Sequence, residues 1–242
     1  MALLPLLALT AACGTPSGGE TSKRNSTSPE VSATGSRETG SSTTELALTQ
    51  NQLNRLLLAT DAVDGFIGSN SHQKPLRPRA DRSECQPLAD LTAVGTDRSP
   101  RAKAFAARGF AGSNPPASEG DVLTVALLSF EKEGARDTIE RIRSALSACG
   151  DAFKTSGNAQ GRTLSYSNVV QRNSFADSTQ SIMVRMVLES GEMRIPMDIQ
   201  VVAVGSTIAQ FLAMNIKDPA KGAVPEAAVS AQLDQLATAT SR

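Results

Sequence analysis

The chain has 242 residues with 24 basic and 24 acidic side chains, one histidine, three cysteines, one tyrosine and no tryptophan. A formal net charge of zero provides no field that attracts nucleic acid. The scarcity of aromatic rings also argues against surfaces that stack bases or sugars, so we expect no nucleic-acid partner.

The N-terminal segment predicts export and lipidation. Residues 3–12 are almost entirely apolar, and small residues lead directly into Cys13 and Gly14. This pattern resembles a bacterial lipobox, which implies that residues 1–12 are a lipoprotein signal peptide and that Cys13 carries a palmitate-type lipid anchor. The alternative is an uncleaved apolar N-terminus with a chance cysteine, because no basic residue precedes Lys23 and secretory signals normally begin with positive charge.

Residues 13–44 predict a lipidated, disordered tether. Ser, Thr and Gly dominate this segment, and after Gly14 its apolar side chains are Val31 and Ala33. Such a segment buries too little surface to offset the entropy of ordering. As a flexible coil it spans about 30 Å. The folded domain is then expected over residues 45–242, on the outer face of the cytoplasmic membrane.

The first half of this domain predicts two helices and two strands. Thr49 caps a helix that runs to about residue 59, and a short helix begins near Pro87 with Leu88 and Leu91 directed inward. Strands are expected over residues 101–110 and 122–130. The second is apolar on both faces and therefore belongs in the middle of a sheet.

The second half predicts one clear helix followed by a meander. Residues 135–149 form an amphipathic helix, with Gly150 as a left-handed cap. Strands follow over residues 162–171, 180–189, 193–204 and 207–214, and Pro225 opens a closing helix. The predicted fold is therefore α+β: an antiparallel sheet of about six strands with helices packed on it.

The remaining cysteines form an even pair once Cys13 carries lipid. In an oxidising exterior, Cys85 and Cys149 are expected to form one disulfide. Closing a loop of about 65 residues stabilises a fold by ~4 kcal/mol on the chain-entropy model. The alternative is two buried free thiols.

The sequence predicts no catalysis. The single histidine, His72, lies in a predicted loop, and no G-x-S-x-G, H-E-x-x-H or Gly-rich phosphate loop is present. Two carboxylate pairs, Glu131 with Glu133 and Glu189 with Glu192, lie in predicted turns, where solvated charge is the commoner role. We expect no cofactor and no metal.

Two features predict binding. Flexible methionines line adaptable apolar pockets, and five of the six lie in the C-terminal strands: Met183, Met186, Met193, Met197 and Met214. The alternative is that they belong to ordinary sheet core. A basic loop containing Lys74, Arg77, Arg79 and Arg82 is either a contact for anionic lipid or wall polymer, or a plain solvated loop.

The arrangement over residues 46–240 resembles the extracellular sensor domain of mycobacterial serine/threonine kinase H and its relatives among actinobacterial lipoproteins. The likeness rests on five features: the Leu57–Asp61 run, Cys85 before a short helix, Ala148-Cys149-Gly150, the strand–Gly–strand segment 201–209, and a Pro-led terminal helix. It implies an exported, disulfide-bonded antiparallel sheet with helices and a cleft for an unidentified ligand. This sequence cannot form that family's second disulfide and carries no kinase segment.

We therefore predict a membrane-anchored, non-catalytic lipoprotein with a sensor-like domain. Its expected partners are the membrane, through Cys13, and an unknown small or lipidic ligand. The alternative is a structural protein that docks on another cell-envelope protein.

Overall fold

The computed structural model describes residues 47–69, 75–157, 161–176 and 179–240. These residues fall within one unit, Thr43–Arg242. The predicted signal peptide, the whole segment proposed as a tether (residues 13–44, with Cys13), His72 and Lys74 lie outside the described residues.

Four helices and nine strands make up the part of the chain that the structure describes. The helices are α1 (Gln50–Leu56), α2 (Gln86–Ala89), α3 (Gly134–Cys149) and α4 (Glu226–Thr240). The strands are β1 (Phe66–Ser69), β2 (Arg79–Ala80), β3 (Ala104–Gly112), β4 (Asp121–Ser129), β5 (Ala152–Ser156), β6 (Leu164–Arg172), β7 (Ser181–Ser190), β8 (Met193–Val204) and β9 (Thr207–Asn215).

All of the described strands belong to one antiparallel sheet with the order β1-β3-β4-β9-β8-β7-β6-β5-β2. The α+β class is confirmed, but the expected number of about six strands is wrong. The three strands that sequence patterning missed are β1, β2 and β5, which lie at the two edges of the sheet. They have two to five residues each, too few to show a clear alternation.

Each face of the sheet carries a hydrophobic core. Side chains of α2 and α3 pack on one face, and side chains of α1 and α4 pack on the other. Strand β4 contributes to both cores, with Leu123, Val125 and Leu127 on the α1 and α4 side and Ala126 and Leu128 on the α3 side. The predicted interior position of this strand is therefore confirmed.

Strand β8 shows the predicted alternation and is buried on both faces. Ile199 and Val201 belong to the core under α3, whereas Asp198 and Gln200 face the other way and are also buried. Pro196 pairs with Val187 of β7, and pairing with β9 begins only one residue later. The proline therefore lies where β8 has a single hydrogen-bonded neighbour, as its missing N–H requires.

Local sequence signals set several element ends. Thr49 and Gln52 form a capping box at the start of α1, with Oγ1 of Thr49 accepting from the Gln52 amide and Oε1 of Gln52 accepting from the Thr49 amide. The Gly205-Ser206 turn joins β8 to β9 across the pair Val204↔Thr207. Gly205 has φ of +55°, as the first central residue of a type II′ turn requires.

The predicted left-handed cap at Gly150 is wrong. This residue has φ of −58° and ψ of −28°, which is right-handed helical geometry. Its carbonyl accepts a hydrogen bond of 3.0 Å from the amide of Val169. Tertiary pairing with β6 therefore takes the place of a local cap as the chain turns into β5.

Candidate functional site

The predicted disulfide is present and joins two helices. Cys85 is bonded to Cys149, with their Cα atoms 5.8 Å apart. Cys85 ends a 3-10 turn that leads directly into α2, and Cys149 is the last residue of α3. Both cysteines are buried. The bond therefore holds the start of α2 against the end of α3 within the core.

A cleft of about 620 Å³ lies beside this disulfide, between α2 and α3. This volume falls in the range of small-molecule sites. The 3-10 turn and α2 line one side, α3 lines another, and β2 closes the edge; the lining residues are Arg79, Ala80, Ser83, Glu84, Gln86, Pro87, Asp90, Ser99, Arg141, Ser144 and Ala145. A smaller pocket of about 280 Å³ shares Arg79, Gln86, Asp90 and Ser99 with the cleft and extends it towards Arg77 and Arg98.

The α3 wall lies at the border of that helix's buried face. Ile142, Ala145 and Cys149 are buried, whereas Arg141 and Ser144 are exposed. Ala145 is the cleft residue closest to the core, and its small side chain leaves the space open. The amphipathic pattern of α3 thus places an apolar floor beside a polar rim.

Gln86 ties the walls together through its side-chain amide. Its Oε1 accepts a hydrogen bond of 3.0 Å from the amide of Ala80 in β2. Its Nε2 donates to the carbonyl of Pro78 and to Oδ1 of Asp90, each over 2.8 Å. One residue of α2 therefore positions the β2 edge and orients the buried carboxyl at the same time.

Asp90 is buried and Arg98 is half-buried in this region. Asp90 is 8% exposed, and burial raises the pKa of its carboxyl above the ordinary value, with Arg98 and the Gln86 hydrogen bond offsetting part of that effect. Burial also lowers the pKa of the Arg98 guanidinium. Arg98 donates to the carbonyl of Asp90 over 2.7 Å, while its buried Nε has no partner among the described residues.

Arg79 and Arg141 both line the cleft, from two different elements. Arg79 lies on β2 and Arg141 on α3, and both are exposed. Neither guanidinium forms a hydrogen bond or ion pair with any described residue. The other two described arginines of the predicted basic loop are partnered, Arg77 with Asp97 at 3.1 Å and Arg82 with the carbonyl of Ala152 at 2.7 Å.

The five C-terminal methionines do not lie on one surface. Met186 and Met197 are buried in the core under α3, Met214 packs against that core, and Met183 belongs to the core on the opposite face. Met193 is 58% exposed at the β7–β8 turn. This placement fits the core alternative, and a ligand-facing role for these residues stays a prediction.

The carboxylates of the two predicted pairs lie at the surface. Glu131 contacts Lys103 at 2.7 Å, Glu133 contacts Arg136 at 3.0 Å, and Glu189 contacts Arg194 at 3.2 Å. Glu192 is exposed in the turn between β7 and β8. Ion pairing with basic neighbours is the usual setting of solvated surface charge.

Comparison with known proteins supports the fold. No protein-family model matches the sequence, and no curated protein matches it. The structure is similar to the extracellular domain of PknH from Mycobacterium tuberculosis. The TM-score is 0.51 at 12% identity, over 81% of this chain and 99% of that one. A likeness at this identity shows a shared fold and nothing further, and the fold expected from the sequence resemblance is confirmed to that extent.

Two further kinds of feature are absent from the described ranges. No helix there is long and apolar enough to cross a membrane. No group of three or more histidine, cysteine, aspartate and glutamate side chains there has a geometry that would hold a metal ion.

The sequence analysis named Arg79 but missed the other polar residues that build the cleft: Gln86, Asp90, Arg98 and Arg141. Gln86 and Asp90 are one helical turn apart, but no spacing along the chain relates them to Arg98 or Arg141. One signal was available: Asp90 stands directly before Leu91, in a short segment whose leucines are directed inward. An aspartate so close to buried leucines is a candidate for burial and for a dedicated hydrogen-bond partner.

Proposed function

We propose that this chain is a membrane-anchored extracytoplasmic lipoprotein whose α+β domain binds a ligand without changing it chemically. The cleft between α2 and α3 is the observation that carries the proposal. It is large enough for a small molecule, and a disulfide joins the elements that form two of its walls. A covalently fixed cleft keeps its shape when empty, which lowers the entropic cost of binding.

Three further observations support the extracytoplasmic location and the lipid anchor. The fold is similar to that of an extracellular domain. Disulfides persist in oxidising environments outside the cytoplasm, and the Cys85–Cys149 bond fits such an environment. The lipobox-like pattern before Cys13 supports a lipid anchor on the outer face of the membrane.

The chemistry of the cleft supports binding over catalysis. Its described lining includes no histidine, lysine or free thiol. The buried carboxyl of Asp90 accepts from Gln86, and the nearby hydroxyls belong to the exposed residues Ser83, Ser99 and Ser144. Nucleophilic catalysis needs an activating base within hydrogen-bond reach of the attacking group. The described lining offers neither a histidine nor a lysine for that role, which favours binding.

Native mass spectrometry of the full chain purified from its own cells tests binding. We expect an extra mass that denaturation releases. Ser144→Trp fills the cleft from its rim and removes that mass, whereas Ser147→Trp, on an exposed position of the same helix outside the cleft, retains it. A wild-type chain that is always empty, and inert to envelope extracts, would contradict ligand binding.

The anchor has a separate test. Intact-mass analysis of the native product should find residue 13 at the N-terminus with a lipid attached. A Cys13→Ala variant should appear in the medium or retain its leader. A native product with an unmodified Cys13 would remove the anchor from the proposal and leave the cleft unaffected.

Docking on another envelope protein is the second candidate, and the edge of the sheet favours it. Strand β1 is an edge strand, and its Ile67 is 63% exposed. The amides of Phe66 and Gly68 in this strand already donate to Val63 and Thr60, so the exposed apolar side chain, not the backbone, is the group that a partner would contact. A photo-crosslinker at position 67 in intact cells should capture a protein if this candidate holds, whereas one at the exposed position Arg55 serves as the control. No adduct at position 67 would contradict it.

A further inference from the structure

Four charged side chains line the cleft: Arg79, Glu84, Asp90 and Arg141. The two acids have partners, because Glu84 lies 4.0 Å from Arg82 and Asp90 accepts a hydrogen bond from Gln86. Among the charged residues of the described lining, only Arg79 and Arg141 have neither an ion pair nor a side-chain hydrogen bond, so their N–H donors remain available to a ligand.

Guanidinium groups suit one class of ligand group. The planar fork of N–H donors matches the oxygen pairs of a carboxylate or phosphate, and it is less strongly hydrated than an ammonium. Two such groups line the same cleft, one on β2 and one on α3. An arginine that was already paired with a carboxylate of the protein would have fewer free N–H donors for a ligand.

The floor of the cleft has a different character. Ala145 is buried there, and Ala80 and Pro87 are half-buried. These side chains offer no hydrogen bond to a ligand, and they favour contact with apolar surface. The aliphatic stems of the two arginines extend this apolar lining up to the charged rim.

We infer that the cleft takes an amphiphilic anion, a phosphate or carboxylate head bound between Arg79 and Arg141 with a short apolar body on the floor formed by Ala80, Pro87 and Ala145. This inference rests on the proposed binding function and names the chemical class of its ligand. The anionic head and the apolar body are both needed, because the rim recognises one and the floor the other.

Calorimetric titration of the full chain tests this class. A Cys13→Ser background, purified from the medium, prevents lipidation of residue 13. The four probes are octyl phosphate, octanoate, inorganic phosphate and octanol, with octyltrimethylammonium as the cationic counterpart. We expect octyl phosphate and octanoate to bind well, and inorganic phosphate and octanol to bind at least about tenfold more weakly, because each lacks one half of the recognised structure.

Three variants locate the site. Arg79→Gln and Arg141→Gln should each weaken octyl phosphate binding roughly tenfold to hundredfold, the loss typical of a hydrogen bond to a charged group. Arg55→Gln is the matched control, since Arg55 is an exposed cation on α1, which packs on the opposite face of the sheet. It should leave binding unchanged. Both cleft arginines are exposed, so thermal midpoints close to that of the wild type are expected.

The outcomes separate this inference from the proposed function. Equal or tighter binding of octanol or octyltrimethylammonium in the cleft, abolished by Ser144→Trp, would overturn the anionic class and leave ligand binding intact. Equal binding of inorganic phosphate would overturn the amphiphile and indicate a free anion as ligand. Octyl phosphate affinity unchanged in both arginine variants would overturn the site. If none of the probes binds, although mass spectrometry still detects a native ligand, the anionic amphiphile is the wrong ligand class and the proposed binding function stands.

Discussion

Gln86 donates a hydrogen bond of 2.8 Å from Nε2 to Oδ1 of Asp90, one helical turn further along the chain. The same amide accepts from the backbone of Ala80. A single side chain therefore bonds both a buried carboxyl, which also accepts from the backbone of Ser99, and the backbone of an edge strand. This arrangement makes the cleft wall sensitive to the charge of Asp90.

Asp90→Asn should change how stability depends on pH. Burial raises the pKa of the folded-state carboxyl above its ordinary value, so the unfolded chain gives up this proton at lower pH than the folded chain. The contribution of Asp90 to stability is fully present below the unfolded pKa of about 4 and is lost as pH rises through the folded value.

We therefore expect the wild type to lose free energy of unfolding relative to Asp90→Asn as the pH rises above about 4, measured by urea titration at several pH values. Asp234→Asn, at an exposed position of α4, controls for removal of a carboxylate as such. Parallel curves for the wild type and Asp90→Asn would contradict this expectation.

Removing the disulfide should destabilise the domain. The bond closes a loop with a sequence separation of 64, for which the chain-entropy model gives a contribution of ~4 kcal/mol. The Cys85→Ala/Cys149→Ala double variant should lower the urea midpoint accordingly. Reductant should have no effect on this variant, and a variant as stable as the wild type would show that the bond does not restrict the unfolded chain.

Asp198→Ala should cost much more than loss of a surface ion pair. Asp198 is 3% exposed and accepts two hydrogen bonds from Arg185, of 2.6 and 2.7 Å. That hydrogen bonding also raises the pKa of Arg185. Removing the carboxylate leaves a half-buried cation unpaired, at a cost of about 2–3 kcal/mol, because Arg185 reaches solvent in part.

The matched control is Lys103→Gln, which breaks the exposed contact with Glu131 and should cost less than about 1 kcal/mol. Chemical denaturation of both variants measures the difference. Equal costs would contradict the structural role assigned to the Arg185–Asp198 pair.

Two glycines with positive φ should tolerate alanine very differently. Gly222 and Gly191 have φ of +92° and +62°. An alanine at either position must adopt this left-handed backbone conformation, at a cost of about 1–2 kcal/mol. A Cβ at Gly222 would lie 2.3 Å from the amide nitrogen of Asn215, whereas a Cβ at Gly191 meets nothing within 4 Å. Gly222→Ala should therefore exceed about 3 kcal/mol, and similar thermal midpoints for the two variants would count against this crowding.

Much of the fold could be predicted because long elements carry their own pattern. The twelve residues of β8 alternate, and the leucines of α1 form a stripe. Both patterns indicate which face is buried without any knowledge of the elements that pack against it. The two cysteines that remain after Cys13 indicated one bond, and Gly205-Ser206 indicated a tight turn. These signals are local, so a single sequence contains them.

The tertiary structure decided the rest. Strands β1, β2 and β5 exist because residues far along the chain offer them backbone partners, as Arg79 pairs with Ser156. The polar residues Asp198 and Gln200 are buried because Arg185 and neighbouring groups satisfy them. The cleft itself forms where α2, α3 and β2 meet. Its charge depends on which arginines find a carboxylate nearby, and distances in space, not spacing in sequence, determine that.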